Sequence, residues 1–173
     1  METPKNTIKG LANNIVITET EENLNKYFGN INEIEKHLVT IDLPYPMRLS
    51  WDLNTTTKRL TVNKAVADSV VRVLTKVLNY YGYEKIKELG LDILGGAFNK
   101  RKKRGGNTWS VHAWGIAIDF NPDKNRLKWG KNKAEFAKPI YKKWWEFWYN
   151  EGWYSLGIEK NYDYMHVQKV KPI

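Results

Sequence analysis

The stretch Ser110-Val-His-Ala-Trp-Gly-Ile-Ala-Ile-Asp-Phe120 combines two metal-binding residue types with a run of apolar residues. Its second half, IAIDF (residues 116–120), is typical of a buried strand. His112 and Asp119 are seven positions apart, and on one unbroken strand their side chains would point to opposite faces, because side chains alternate. Gly115 lies between them. A bend or bulge at this glycine would bring both side chains to one face.

The chain has three histidines and no cysteine, which excludes disulfides, thiolate zinc sites, iron–sulfur clusters and cysteine nucleophiles. Any metal must therefore be held by His, Asp or Glu. A catalytic zinc ion takes three such ligands and keeps a fourth position open for water, and His112, Asp119 and His166 provide that set. Asp163 would stand beside the metal without binding it, where a general base is needed. Zinc lowers the pKa of water to about 7, so this carboxylate can take a proton as the water attacks a carbonyl.

Three other segments predict elements around this stretch. Residues 41–51, IDLPYPMRLSW, contain two closely spaced prolines and favour extended backbone. A helix is predicted from Asn63 to Gly82, whose apolar residues share one face: Val66, Val70, Val73, Leu74, Val77 and Tyr81. A second helix is predicted over residues 139–150, with Pro139 at its first position and an apolar stripe of Ile140, Trp144, Phe147 and Trp148.

Residues 1–40 are predicted to form an N-terminal extension to a domain of residues 41–173. Thr18 and Glu21 have the spacing of a capping box, and apolar residues at helical spacing then predict a helix over residues 19–38, whose middle is weakened by Gly29 and Asn30. The first residues lack the basic start and apolar core of a signal peptide, and no apolar run is long enough to span a bilayer. We therefore expect synthesis in the cytoplasm without a signal peptide, and no transmembrane segment.

Positive charge is concentrated in one part of the chain. The net charge is +9, and residues 100–133 contain ten basic and two acidic residues. Such a surplus favours an anionic partner: nucleic acid, an acidic membrane surface, or a cell wall that carries carboxylates and phosphates. Charge by itself does not choose among these three.

Two motifs of the chain resemble a known enzyme family. Residues 110–119 match the pattern S-x-H-x-x-G-x-A-x-D, and Asp163-Tyr-Met-His166 matches its second element, an acid three residues before a histidine. Both are similar to the zinc D-alanyl-D-alanine peptidase family, which includes phage L-alanyl-D-glutamate endolysins and vancomycin-resistance dipeptidases. Weaker similarity extends over about residues 40–170 and leaves the first forty residues unexplained.

The resemblance implies an α+β fold: a single domain in which a small, mainly antiparallel sheet carries the zinc site and packs against helices. The IAIDF strand and the strand around His166 would be neighbours in that sheet. The resemblance also implies Zn²⁺ held by His112, Asp119 and His166, with Asp163 as the catalytic acid and base.

Substrate-binding residues are also implied by the resemblance. Ser110 matches a small polar residue near the metal, whose hydroxyl could hold substrate or orient a ligand. An arginine upstream of that serine often contacts the substrate carboxylate, and Arg101 and Arg104 are both candidates, with Arg101 favoured. A planar guanidinium suits bidentate binding of a carboxylate.

The motifs therefore predict a zinc-dependent peptidase that hydrolyses the peptide stem of bacterial peptidoglycan at the cell wall. Either L-alanyl-D-glutamate endopeptidase or D-alanyl-D-alanine carboxypeptidase activity fits, and a phage or prophage lysin, or a virion-associated enzyme, is expected. We expect a monomer with no specific nucleic-acid partner. The alternative is a non-catalytic basic protein that binds cell wall or nucleic acid. Salt-sensitive binding to DNA without zinc uptake would favour the nucleic-acid binder.

Overall fold

The computed structural model describes residues 15–173. The start of the predicted extension, and the segment on which the signal-peptide prediction rests, lie outside the described residues. Within residues 15–173, no helix is both long and apolar enough to cross a membrane.

The described residues form an α+β domain in which a six-stranded mixed sheet packs against helices, as predicted. The strand order is β2-β1-β3-β4-β6-β5, and β1 with β3 is the parallel pair among otherwise antiparallel neighbours. The strands are β1 (Leu38–Leu49), β2 (Asp52–Asn63), β3 (Ile93–Gly96), β4 (Ala117–Phe120), β5 (Tyr154–Ser155) and β6 (His166–Gln168). The α-helices are α1 (Glu21–Phe28), α2 (Ala67–Tyr81), α3 (Tyr83–Leu89), α4 (Lys142–Asn150) and α5 (Leu156–Lys160).

A long hairpin of β1 and β2 forms one edge of the sheet. The extended backbone predicted for residues 41–51 is confirmed within β1. The sequence did not predict β2, because most of its residues from Asp52 to Arg59 are exposed and polar, so they lack the apolar alternation of a half-buried strand. Only its last third, which includes Leu60 and Val62, reaches the core.

Both predicted helices are present with shorter bounds. The predicted apolar face of α2 is buried from Val66 to Val77, but residues 63–66 finish β2 and turn into the helix. The second helix begins as a 3₁₀ turn (Pro139–Tyr141) before α4. Ile140 lies in that turn and is exposed, because the tighter spacing of a 3₁₀ turn takes it out of phase with the stripe of α4.

The prediction of one helix over residues 19–38, capped by Thr18, is wrong. Helix α1 is capped by Thr20, whose hydroxyl accepts from the backbone N–H of Asn23, and it ends at Phe28, before Gly29, where φ is 107°. A separate 3₁₀ helix (Ile31–His37) follows. The break is stabilised by a tertiary contact, since the Trp114 indole N–H lies 3.1 Å from the Gly29 carbonyl oxygen and donates to it. Thr18 instead pairs with Lys171 in a parallel bridge.

Aromatic side chains of α4 pack against one face of strand β4. Phe120 packs edge to face on Trp144 of α4, with ring centroids 4.9 Å apart, and also contacts Trp148. Because side chains alternate along a strand, Asp119 points to the opposite face of the sheet. The packing of α4 therefore determines which face of β4 is free to carry a functional group.

Gly115 connects this strand to the segment before it. A bend at Gly115 is confirmed, but His112 lies on a 3₁₀ helix (Val111–Trp114) and not on a strand with a bulge. Gly115 ends that helix in the left-handed conformation, with φ at 71°. A Cβ on this residue would lie 2.8 Å from the backbone nitrogen of Asn63 and 2.9 Å from Leu38.

We expect Gly115→Ala to lower the free energy of unfolding by about 3 kcal/mol, because strain at positive φ adds to a clash with backbone. Gly105→Ala is the matched control: its φ is also 71°, but nothing lies within 4 Å of an added Cβ. That variant should lose only about 1–2 kcal/mol. Urea unfolding of both variants measures the difference, and equal losses would refute the close approach at Gly115.

Candidate metal centre

Three side chains that could hold a metal ion converge at the centre of the sheet. Asp119 on β4 and His166 on β6 are direct partners in an antiparallel pair, which places both side chains on one face. His112 reaches the same point from its 3₁₀ helix. The Asp119 carboxylate oxygens lie 3.1 Å from Nδ1 of His166 and 3.2 Å from Nε2 of His112. The potential ligand atoms of the three residues all lie within 4.8 Å of one another.

Hydrogen bonds on the far side of each imidazole orient the rings. Nδ1 of His112 lies 2.8 Å from the carbonyl oxygen of Ala97, and this bond requires a proton on Nδ1. Nε2 of His166 lies 2.8 Å from Oε1 of Gln168 and donates to it. Nε2 of His112 and Nδ1 of His166 are thereby left to face Asp119. Such outer hydrogen bonds commonly set the tautomer of metal-binding histidines.

The electrostatics of Asp119 favour an ionised carboxylate. Burial opposes ionisation, but the charges and hydrogen bonds of His112 and His166 outweigh it and hold the pKa of Asp119 well below its usual range. Two imidazoles and one carboxylate are a common zinc-binding set that leaves a further coordination position for substrate or water. The donor atoms, their orientation and their spacing therefore fit a divalent metal ion.

Asp163 lies in the same cleft but outside the triad of potential ligands. It adopts a positive φ of 57°, its backbone N–H donates to the carbonyl of Leu127, and its own carbonyl accepts from the backbone N–H of His166. Its side chain is buried and accepts no hydrogen bond within residues 15–173. Burial, opposed by the charge of His166 and reinforced by that of Asp119, raises the pKa of Asp163 to about 6. A carboxyl with such a pKa can both accept and return a proton near neutral pH.

The cleft in front of these residues has a volume of about 400 Å³. Arg101 and Arg104 both line it, together with Ser110 and the apolar side chains of Leu127 and Met165. The Ser110 hydroxyl accepts from the backbone N–H of His112 and so caps the 3₁₀ helix that carries this histidine.

Most of the basic run at residues 100–104 is occupied by other contacts. Lys100 pairs with Glu35 at 3.2 Å, Lys103 pairs with Glu19 at 2.8 Å, and Lys102 lies over the Trp109 ring. Among the residues that the structure describes, Arg101 and Arg104 form no ion pair, although the charge of Arg104 acts to lower the pKa of Asp163. The cleft thus has two guanidinium groups that remain available to a carboxylate.

Sequence reasoning missed two residues around the metal centre, Gln168 and Glu19. The signal for Gln168 was present, because a residue two positions after His166 on a strand lies on the same face. Nothing local marks Glu19, which is 149 positions away from Gln168 but contacts it.

A comparison with protein families supports part of this interpretation. A family model described as D-alanyl-D-alanine carboxypeptidase matches residues 104–169, the segment that contains His112, Asp119, Asp163 and His166. The match supports the resemblance of the two motifs to the zinc peptidase family. It also supports the interpretation of the protein as a peptidase that acts on D-Ala-D-Ala type substrates. No curated protein and no solved structure matches the chain.

The raised pKa of Asp163 predicts that Asp163→Asn stabilises the metal-free protein at neutral pH. The folded state holds the proton of the Asp163 carboxyl more tightly than the unfolded state does. The free energy of unfolding of the wild type therefore falls as the pH rises from about 4 through about 6. The variant should gain about 1–3 kcal/mol at pH 8 relative to the wild type, and little at pH 4. Urea unfolding at both pH values tests this.

Asp123→Asn is the control, since it removes an exposed carboxylate. We expect it to show no comparable dependence on pH. If Asp163→Asn gained the same free energy of unfolding at pH 4 and at pH 8, the raised pKa of Asp163 would be contradicted.

Proposed function

We propose that this protein is a zinc-dependent peptidase that hydrolyses the peptide stem of bacterial peptidoglycan. The observation that carries the proposal is the convergence of His112, Asp119 and His166 beside the buried carboxyl of Asp163, inside the segment that matches a D-alanyl-D-alanine carboxypeptidase model. In this proposal His112, Asp119 and His166 hold the metal. A bound zinc ion supplies Lewis acidity, which lowers the pKa of water to about 7 and polarises a carbonyl oxygen.

Asp163 performs the proton transfers. Its carboxylate accepts a proton from the water molecule that attacks the scissile carbonyl carbon, and it then delivers that proton to the leaving amine nitrogen as the C–N bond breaks. The fixed turn around Asp163 supports this role, because its backbone is tied on one side to Leu127 and on the other to His166. General acid–base catalysis of this kind is worth about 10²- to 10⁴-fold in rate.

The charges around the cleft support an anionic substrate. Arg101 and Arg104 line the cleft, and in this proposal they bind a carboxylate of the stem peptide. A second basic segment, residues 124–133, is tied to the cleft because the Leu127 carbonyl accepts from the Asp163 backbone. Its five cations form no ion pair with residues 15–173: Lys124, Arg126, Lys128, Lys131 and Lys133. Cell-wall carboxylates and phosphates would be attracted to both segments.

We further propose action at the bacterial cell wall, as a phage or prophage lysin or a virion-associated enzyme. Endopeptidase cleavage between L-Ala and D-Glu, and removal of a terminal D-Ala, would use the same metal site and the same proton transfers. A monomer suffices for either reaction, because all proposed ligands and Asp163 come from one chain.

The second candidate is a non-catalytic protein that binds an anionic polymer. The observation that favours it is the stacking of cations on Trp129, where Lys133 lies 4.4 Å and Arg126 lies 5.6 Å from the ring centroid. Such a protein has no use for Asp163, whose buried ionised carboxylate destabilises the fold at neutral pH.

We expect His112→Ala and His166→Ala to lose bound zinc, and Asp163→Ala to keep zinc while losing about 10²- to 10⁴-fold in activity. The reason is that two of these residues donate ligand atoms and the third only moves a proton. Metal analysis by mass spectrometry and digestion of purified peptidoglycan provide the two readouts. A fully active Asp163→Ala would overturn the assignment.

The products of that digestion identify the bond that is cut. Fragments with a new D-Glu amino terminus would indicate the endopeptidase, and free D-Ala would indicate the carboxypeptidase. Intact walls of several chemotypes, with zinc bound, would favour the binding protein.

Arg101→Gln and Arg104→Gln should each raise KM for a soluble stem peptide by about 10- to 100-fold if that guanidinium binds a carboxylate of the peptide. The penalty should disappear for a stem peptide whose carboxylates are amidated. Arg59→Gln is the control, since Arg59 lies on the exposed hairpin and pairs with Asp42 at 3.8 Å. Equal penalties on free and amidated peptides would refute a carboxylate contact for that arginine.

A further inference from the structure

A chain of hydrogen bonds runs from the metal centre to the N-terminal segment and the basic run. The side-chain amide of Gln168 accepts from Nε2 of His166 at 2.8 Å, and it donates to Oε1 of Glu19 at 2.8 Å and to the Val170 carbonyl at 2.9 Å. The other carboxylate oxygen of Glu19 accepts from Nζ of Lys103 at 2.8 Å.

The partners of Gln168 allow only one orientation of its amide. The Glu19 carboxylate and the Val170 carbonyl can only accept, so the NH₂ group must face them and the amide oxygen must face His166. That oxygen in turn requires a proton on Nε2 of His166. Nδ1 is therefore the ring nitrogen that is left to bind a metal beside Asp119.

Glu19 is held in place by its own backbone. Its N–H donates to the carbonyl of Lys171 at 2.9 Å, and the N–H of Lys171 donates to the carbonyl of Ile17 at 2.8 Å. Only 12% of the Glu19 side chain is exposed, and Gln168 is buried. The N-terminal segment thus presents a fixed carboxylate at the edge of the cleft.

We propose that Gln168 and Glu19 are positioning residues of the metal centre. Gln168 holds the His166 imidazole in the tautomer and orientation that presents Nδ1, and Glu19 holds Gln168 while it ties the basic run to the metal centre through Lys103. This inference rests on the proposed function to the extent that a metal binds at His112, Asp119 and His166.

Three variants separate these roles. Gln168→Met keeps the volume of the side chain but offers His166 no acceptor, and it should weaken zinc binding about 10- to 100-fold. Glu19→Ala removes the partner of Gln168 and should weaken zinc binding by a smaller factor. Glu19→Gln retains an oxygen for Gln168 but loses the charge that pairs with Lys103, so its affinity for zinc should stay within about threefold of the wild type.

The matched control is Glu35→Gln. Glu35 pairs with Lys100, so the variant also breaks an ion pair between the N-terminal segment and the basic run. Within residues 15–173 no chain of side-chain hydrogen bonds leads from Glu35 to His166, so zinc affinity should be unchanged.

The experiment is a competition for zinc between the full-length protein and a chromophoric chelator, combined with thermal unfolding of each metal-free variant. A loss of zinc affinity in Gln168→Met and Glu19→Ala, without the same loss in Glu35→Gln and with unchanged unfolding midpoints, supports the inference. If the wild type binds zinc tightly and Gln168→Met and Glu19→Ala bind it equally tightly, the positioning role is overturned and the proposed function stands. If Gln168→Met fails to fold, comparing the zinc affinities of Glu19→Ala and Glu35→Gln decides the same question. Absence of zinc binding by the wild type overturns the proposed function itself, and this inference with it.

Discussion

The antiparallel pairing of Asp119 with His166 is the constraint on which the candidate site depends. Directly opposed residues of neighbouring strands point to the same face, so a slip of one residue would send one candidate ligand into the core. Phe120 strengthens this register, because its packing on Trp144 and Trp148 fixes the rear face of β4. The hydrophobic core therefore sets the geometry of the polar site on its other side.

The third candidate ligand, His112, is positioned by a turn and not by the sheet. Gly115 brings the 3₁₀ helix of His112 close against the hairpin, where Asn63 donates from its backbone to the Gly115 carbonyl and from its side chain to the Trp114 carbonyl. The buried side chain of Asn63 also donates to the carbonyl of Phe28 in α1. One amide group thus links the N-terminal helix, the hairpin and the ligand-bearing turn.

The site concentrates polar groups that burial disfavours. Asp119 is compensated by two imidazoles, whereas Asp163 is buried without a hydrogen bond to its carboxylate among the described residues. A fold optimised for stability alone would avoid such a group. In the basic run, ion pairs with the N-terminal segment hold two lysines in place, and Arg101 and Arg104 are left to face the cleft.

The amino-acid sequence by itself determined the chemistry and the local elements: the set of candidate metal ligands, the buried strand before Asn121 and the apolar face of α2. These follow from side-chain type and from periodicity over a few neighbouring residues. Only the tertiary structure decided that residues 52–63 form an edge strand, that Arg101 and Arg104 line the cleft, and that Glu19 supports His166 through Gln168. Each of these depends on contacts between residues far apart in the chain, which no local pattern encodes.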